Sequence, residues 1–133
     1  MAIESCVTTA ARLAFLKGEI KAGHVFKVAL YTDKANLGPT TKAYTTVGEV
    51  AVSGYAAKRL DSPVFSSTDT EAVMGFKGEV VWPNVTIAAA GCMIYDESLD
   101  NLAVFVGDFG AIIASTNDKF KLAMAPDLIK FIC

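Results

Sequence analysis

His24 is the only histidine in the sequence, so any Ser-His-Asp or Cys-His mechanism would have to use it. It lies beside Gly23 at the start of an apolar segment, and no G-x-S-x-G motif supplies a nucleophile. A capping or surface role is the better interpretation of this side chain. The sequence therefore predicts no catalytic residue and a protein that is not an enzyme.

The three cysteines also lack a pattern that binds metal. Cys6, Cys92 and Cys133 are separated by dozens of residues, and none forms a C-x-x-C pair. One histidine cannot complete a zinc site with thiols so far apart. We interpret them as buried apolar thiols in a reducing compartment and expect no metal and no cofactor.

The segment DESLDN places Asp96, Ser98 and Asp100 at the first three ligand positions of a calcium loop. Position six is Asn101 where glycine is required, and position twelve is Gly107 where a bidentate glutamate is required. A hairpin turn between two hydrophobic strands fits the segment better.

Composition limits the partners of this chain. Its 133 residues make one domain, 1–133, and 12 basic against 14 acidic residues form no basic cluster, so we expect no direct contact with nucleic acid. The apolar run 87–95 is about half the ~18 residues of a membrane span, and the first residues do not resemble a signal peptide. With 53% hydrophobic residues and a mean hydropathy of +0.41, we expect apolar surface that another protein covers.

The elements that must position these residues are mostly strands. Apolar spacing predicts a helix over 3–17 that ends at Gly18, giving an N-terminal helical segment 1–18, and a long polar loop over 33–48. A turn or loop is predicted over 111–118, with a short edge strand at Ile112 and Ile113 as the alternative. Short β-branched and aromatic segments predict strands at 25–31, 49–52, 56–64, 72–76, 79–82, 86–95, 102–109, 120–125 and 128–132. One short helix with so many strands favours an all-β sandwich or barrel, and the spacing leaves an immunoglobulin-like sandwich and a jelly roll both open.

Several motifs in order carry a resemblance to a known family. KVALYT is followed by AYTTVGEV, SGY, VVWPNVTIAAAGCMIYD and VFVGDFG, over about 26–110. This order resembles the small virion structural proteins of tailed bacteriophages and is similar to their jelly-roll capsid cement, or decoration, proteins. The resemblance implies a jelly-roll-like β-sandwich of about eight antiparallel strands with a short N-terminal helix.

The resemblance also implies a function and a location. The chain would bind across subunits of the phage major capsid protein, beside copies of itself, on the outer capsid surface of the virion, and would stabilise the DNA-filled head. It would be made and assembled in the host cytoplasm. The alternative is a tail-associated host-attachment or carbohydrate-binding β-sandwich module.

Two segments are the candidate contacts of such a protein. A loop as long as 33–48 in a compact domain is usually functional, so we interpret it, with the helix, as a contact arm. The last strand is the second candidate, although an ordinary core or edge strand that closes the sandwich is the favoured explanation for it. The candidate contact residues are Lys34, Asn36, Leu37, Pro39, Lys42, Tyr44, Leu128 and Phe131.

Overall fold

The computed structural model describes residues 2–132. It contains eight strands, one α-helix and one short 3-10 helix at Glu97–Leu99. The α-helix α1 is Thr9–Leu16. The strands are β1 Cys6–Val7, β2 Phe26–Tyr31, β3 Lys58–Arg59, β4 Val64–Ser67, β5 Glu71–Gly75, β6 Glu79–Asp96, β7 Leu102–Ala123 and β8 Ile129–Ile132.

The strands form two antiparallel sheets. The larger sheet has the order β1-β7-β6-β2-β3 and the smaller one the order β4-β5-β8. The prediction of an all-β sandwich with about eight antiparallel strands and a short N-terminal helix is confirmed.

The main core lies between the five-stranded sheet, the helix and the three-stranded sheet. Phe26, Val28 and Leu30 point into it from β2, and Met74 and Ile129 enter it from the smaller sheet. Trp82 of β6 is fully buried there, and its indole N–H donates to the Ala56 carbonyl at 2.8 Å. Buried side chains from both sheets therefore form this core, as a sandwich requires.

The opposite face of the five-stranded sheet is buried as well. Alternate residues of the same strands form a second cluster, which includes Ala29 and Tyr31 of β2 and Met93 of β6. The segment 33–48, which we call the strap, covers this face with Ala35 and Leu37. Because both faces are covered, β2 is apolar at nearly every position instead of alternating with polar residues.

The helix begins six residues later than predicted. Ile3 forms a bridge to Leu37 instead, and β1 pairs with β7 before the helix starts. The buried Thr8 side chain sets the start, because its oxygen accepts from the Ala11 N–H and its hydroxyl donates to the Ala103 carbonyl. The predicted end is confirmed, since Gly18 follows the helix with a φ of +71°.

Two predicted interruptions of strands are wrong. The segments 79–82 and 86–95 are one strand, β6, and the predicted loop 111–118 is part of the 22-residue strand β7. The turn-forming residues in these places adopt positive φ inside the ladder, at Asn84, Gly110 and Asn117. They accompany shifts of the β6-β7 register, so they mark bulges that bend the strands rather than turns that end them.

The segment after the strap has less strand than predicted. At 49–52 only Glu49 forms a bridge, to Tyr31. Within 56–64, Lys58–Arg59 pairs with β2, and Val64, directly after Pro63, begins β4. The last strand, β8, pairs with β5.

A sharp corner joins the two sheets. β5 leads into β6, and β7 leads into β8, so the paired chains pass from one sheet to the other together. A side chain at Gly75 would place its Cβ 2.2 Å from the carbonyl carbon of Pro126. Only glycine allows the two backbones to approach so closely.

Candidate functional site

The strap is fastened to the sheet by backbone hydrogen bonds along its length. The Leu37 N–H donates to the Ala2 carbonyl at 3.0 Å, and the Ala103 N–H donates to the Lys42 carbonyl at 3.0 Å. At the far end the Thr32 N–H donates to the Gly48 carbonyl at 2.8 Å. The strap therefore lies flat on the sheet, and its role as a contact segment stays a prediction.

A cluster of tyrosines holds the end of the strap. Tyr44 and Tyr55 both donate their hydroxyl hydrogens to the carboxylate of Glu49. The Tyr55 hydroxyl also accepts from the Leu30 N–H at 2.9 Å. We call Tyr31, Tyr44, Tyr55, Tyr95 and Glu49 the tyrosine cluster.

Tyr31 and Tyr95 connect the cluster to the sheet. The Tyr31 hydroxyl donates to the Thr45 carbonyl of the strap at 2.6 Å. The Tyr95 ring stacks on the Tyr44 ring, with 4.5 Å between the ring centroids. The strap is thus joined to β2 and β6 by side chains, in addition to its backbone hydrogen bond to Ala103 of β7.

The cluster changes how its tyrosines ionise. Burial is the main cause that raises the pKa of each of the four phenols above its usual value, and the neighbouring Glu49 carboxylate raises it further. The sequence has four tyrosines in total, so all of them belong to this one environment.

Four of the five motifs that carry the family resemblance meet in this cluster. Tyr31 lies in KVALYT, Tyr44 and Glu49 lie in AYTTVGEV, Tyr55 ends SGY, and Tyr95 lies in VVWPNVTIAAAGCMIYD. These residues are up to 64 positions apart, and two of the tyrosines, Tyr44 and Tyr55, share the Glu49 carboxylate. Their common role is to fix the strap to the scaffold.

The candidate contact residues of the strap divide by exposure. Lys34, Asn36 and Lys42 are exposed on its outer surface, whereas Leu37 is 3% exposed and belongs to the second cluster. Leu37 as a contact residue is a wrong prediction, since its side chain already packs against the sheet.

Pro39 and Tyr44 are half-buried. The Pro39 carbonyl accepts from the Thr9 N–H at 2.9 Å, so this part of the strap contacts the start of α1.

The C-terminal candidates lie elsewhere. Leu128 packs against the main core, as the alternative of an ordinary core strand predicts. Phe131 of β8 is half exposed, and its ring meets the Phe15 ring edge to face at 5.7 Å. The strap candidates and Phe131 therefore belong to opposite sides of the five-stranded sheet.

Sequence reasoning missed Leu16 and Phe65 beside Phe131. Leu16 at the end of α1 is 85% exposed, and Phe65 of β4 is half exposed. A signal for Leu16 was present, because Leu13 and Leu16 fall outside the helical spacing of the apolar face. The position of Phe65 follows from the pairing of β4 with β5, which the sequence did not reveal.

His24 has a structural partner. Its Nδ1 lies 2.7 Å from a carboxylate oxygen of Asp96, whose side chain is fully buried. The other Asp96 oxygen accepts from the Ser98 N–H at the start of the 3-10 helix. Asp96 thus fixes the predicted hairpin turn that leads from β6 to β7.

Cys92 provides a test of the packing in the main core. Its side chain is 6% exposed, and burial raises the pKa of its thiol from 9.0 to about 12. We expect a Cys6→Ser/Cys133→Ser variant to react with a thiol reagent at pH 8 roughly a thousandfold more slowly than an ordinary thiol, because thiolate is the reactive form. Mass spectrometry of the alkylated chain measures the rate.

The matched control is the Cys92→Ser/Cys133→Ser variant, which keeps the half-buried Cys6. Burial raises the pKa of the Cys6 thiol as well, but part of that residue meets solvent. Equal labelling rates of Cys6 and Cys92 in the folded chain would contradict the burial of Cys92.

Among residues 2–132, no three His, Cys, Asp or Glu side chains converge in a group able to hold a metal ion. Across the same range, no helix is both long enough and apolar enough to cross a membrane. Comparisons of the chain with family models, with curated proteins and with solved structures found no match.

Proposed function

We propose that this chain is a structural protein of a phage particle, a capsid cement protein that binds across subunits of the major capsid protein. The single observation that carries the proposal is the convergence of four of the five family-like motifs in the tyrosine cluster. Motifs scattered along the chain that share one structural role support a true resemblance over a chance one.

A cement protein works through binding energy, and a rigid scaffold suits that task. The strap presents Lys34, Asn36, Lys42 and Val47 on a fixed outer surface, and Val47 is 73% exposed. Ordered side chains lose less entropy on binding than side chains on a mobile arm. Each copy can bind modestly, because copies on a repeating lattice add their effects.

The carbohydrate-binding alternative has weaker support. Trp82, Tyr31 and Tyr95 are buried, and Tyr44 and Tyr55 direct their hydroxyls to Glu49. Sugar rings stack on exposed aromatic faces, and the largest aromatic side chain here is inside the core.

Electron microscopy of particles with the chain bound tests the proposal. Purified chain is mixed with DNA-filled heads and with tails of the phage that encodes it, and bound chain is measured by co-sedimentation. We expect density on the outer head lattice at a fixed copy number per capsid subunit. Density on the tail alone, or no binding to either, would overturn the cement function.

Charge reversal on the strap tests which surface binds. We expect Lys34→Glu/Lys42→Glu to weaken head binding roughly tenfold, about 1.4 kcal/mol, because charges at an interface guide and orient the encounter. Both residues are exposed, so the fold is retained. Deleting the strap is a poor test, because it would uncover the second face of the sheet.

The matched control is Lys121→Glu, which changes an exposed lysine on β7. Equal binding of the strap variant and this control would remove the strap as the contact surface. The cement function itself would stand if the unchanged chain still decorates heads.

A further inference from the structure

An open apolar groove lies between the end of α1 and the three-stranded sheet. Its volume is about 340 Å³. Met74 pairs directly with Phe65 and with the buried Ile129, so these side chains share the inner face of the sheet. The inner face thus continues past the core into the groove. The side chains that line the groove include Phe15, Leu16, Phe65, Ala72, Met74 and Phe131.

The rim of the groove carries an apolar projection. Leu16 is 85% exposed, more than any other large hydrophobic residue within 2–132. A basic residue, Lys17, follows it directly, and the only ion pair of Lys17 in that range is a 3.8 Å contact with the exposed Glu19. An apolar side chain next to a cation therefore projects from the helix end.

The other end of the groove is acidic. There it adjoins a second cavity of about 430 Å³, and Ala72 and Phe131 line both. Asp69 and Glu71 line this cavity. Asp69 makes no ion pair with any residue of the described chain, whereas Glu71 has a long contact of 3.8 Å with Lys130.

We infer that the groove is the interface between two copies of this chain. In a two-fold dimer each subunit offers the same surface, so that surface must be complementary to itself. Leu16 of each copy enters the groove of the other between Phe65 and Phe131, and Lys17 faces Asp69. The chain carries both the apolar groove with an acidic end and the apolar projection with a basic neighbour.

The available apolar surface suits such an interface. A stable dimer covers roughly 800 Å² on each subunit, about a tenth of the 7284 Å² that the chain exposes. Phe65 and Phe131 are each about half exposed. These residues with Leu16 form an apolar centre, and the charged residues lie at its edges, as in most protein interfaces.

This inference concerns the isolated chain and does not rest on capsid binding. Sedimentation equilibrium at several protein concentrations tests it. We expect the unchanged chain to form a dimer and Leu16→Glu to raise the dissociation constant about thirtyfold or more, since a central residue of an interface is lost. A chain that stays monomeric at every concentration overturns the inference.

Val47→Glu is the matched control, because Val47 is nearly as exposed but lies on the strap. We expect this variant to dimerise like the unchanged chain. If Val47→Glu dissociates the dimer and Leu16→Glu does not, the interface lies on the strap and the inference is wrong. Circular dichroism confirms that each variant is folded.

A charge exchange tests the orientation of the two copies. Lys17→Glu places like charges opposite each other and should weaken the dimer, as should Asp69→Lys. The double variant Lys17→Glu/Asp69→Lys restores opposite charges, so we expect it to recover most of the lost affinity. If the dimer affinity lost in the double variant equals the sum of the losses in the two single variants, the proposed pairing of Lys17 with Asp69 is wrong.

Discussion

Replacing Glu49 with alanine is expected to lower the free energy of unfolding by about 3 kcal/mol. The Glu49 carboxylate accepts hydrogen bonds from Tyr44 and Tyr55, and a hydrogen bond to a charged group contributes about 1.5–3 kcal/mol. The lower part of that range applies because Glu49 is half-buried and water reaches part of it. Urea denaturation followed by circular dichroism measures the change.

Two further variants separate the hydrogen bonds from the loss of a charge. Glu49→Gln keeps one acceptor oxygen without the charge. We therefore expect it to lower the free energy of unfolding by about half as much as Glu49→Ala does. Glu79→Ala removes an exposed carboxylate that has no hydrogen bond or ion pair to other residues in 2–132. Its effect should stay within about 0.5 kcal/mol. If Glu49→Ala and Glu79→Ala unfold at the same urea concentration, the tyrosine cluster does not stabilise the fold.

The sequence predicted that the strap is a loop but not that it lies flat on the sheet. Its threonines, lysines and turn residues are typical of an exposed loop, and the prediction followed that composition. Yet Lys34, Ala35, Asn36 and Leu37 alternate between polar and apolar side chains, which is typical of an extended segment lying on a surface. Four residues are too few to decide between these interpretations without knowing that a second apolar face needed cover.

The β6-β7 strands show a different limit. The sequence predicted strands on both sides of Asn84 and of Gly110 because their apolar and β-branched residues are clear. It could not show that the chain continues through these points, since a turn and a bulge use the same residues for the same positive φ. Pairing with the other strand determines whether a bulge or a turn forms, and the paired residues are distant in sequence.

The candidate site was predictable in part. The quoted motifs contain all four tyrosines and Glu49, but the sequence did not predict that these residues meet, and only the fold shows that Tyr44 and Tyr55 share the Glu49 carboxylate. The groove was not predictable, because Phe15, Phe65 and Phe131 come from three elements that the fold brings together. Composition did predict exposed apolar surface, and the structure places part of it in this groove.

Alkaline titration of the folded chain is expected to show no ionised tyrosine until the chain unfolds. Burial and the Glu49 carboxylate raise the pKa of all four phenols in the folded chain, whereas in the unfolded chain they titrate at about 10. The folded state therefore holds these protons more tightly. The contribution of the raised pKa values to the free energy of unfolding is fully present below about pH 10, and it is lost as the pH rises above that value.

The absorbance of tyrosinate in the near ultraviolet, followed together with circular dichroism, measures this effect. We expect all four tyrosines to ionise in the single transition in which the fold is lost, and to titrate at about pH 10 in strong denaturant. In Glu49→Gln, ionisation should begin at a lower pH, because the negative charge beside Tyr44 and Tyr55 is gone while their burial remains. Ionisation of two or more tyrosines near pH 10 with unchanged circular dichroism would mean that water reaches the cluster in the folded chain. The backbone hydrogen bonds alone would then hold the strap. In that case Glu49→Ala should lower the free energy of unfolding by far less than the contribution of two hydrogen bonds to a charged group.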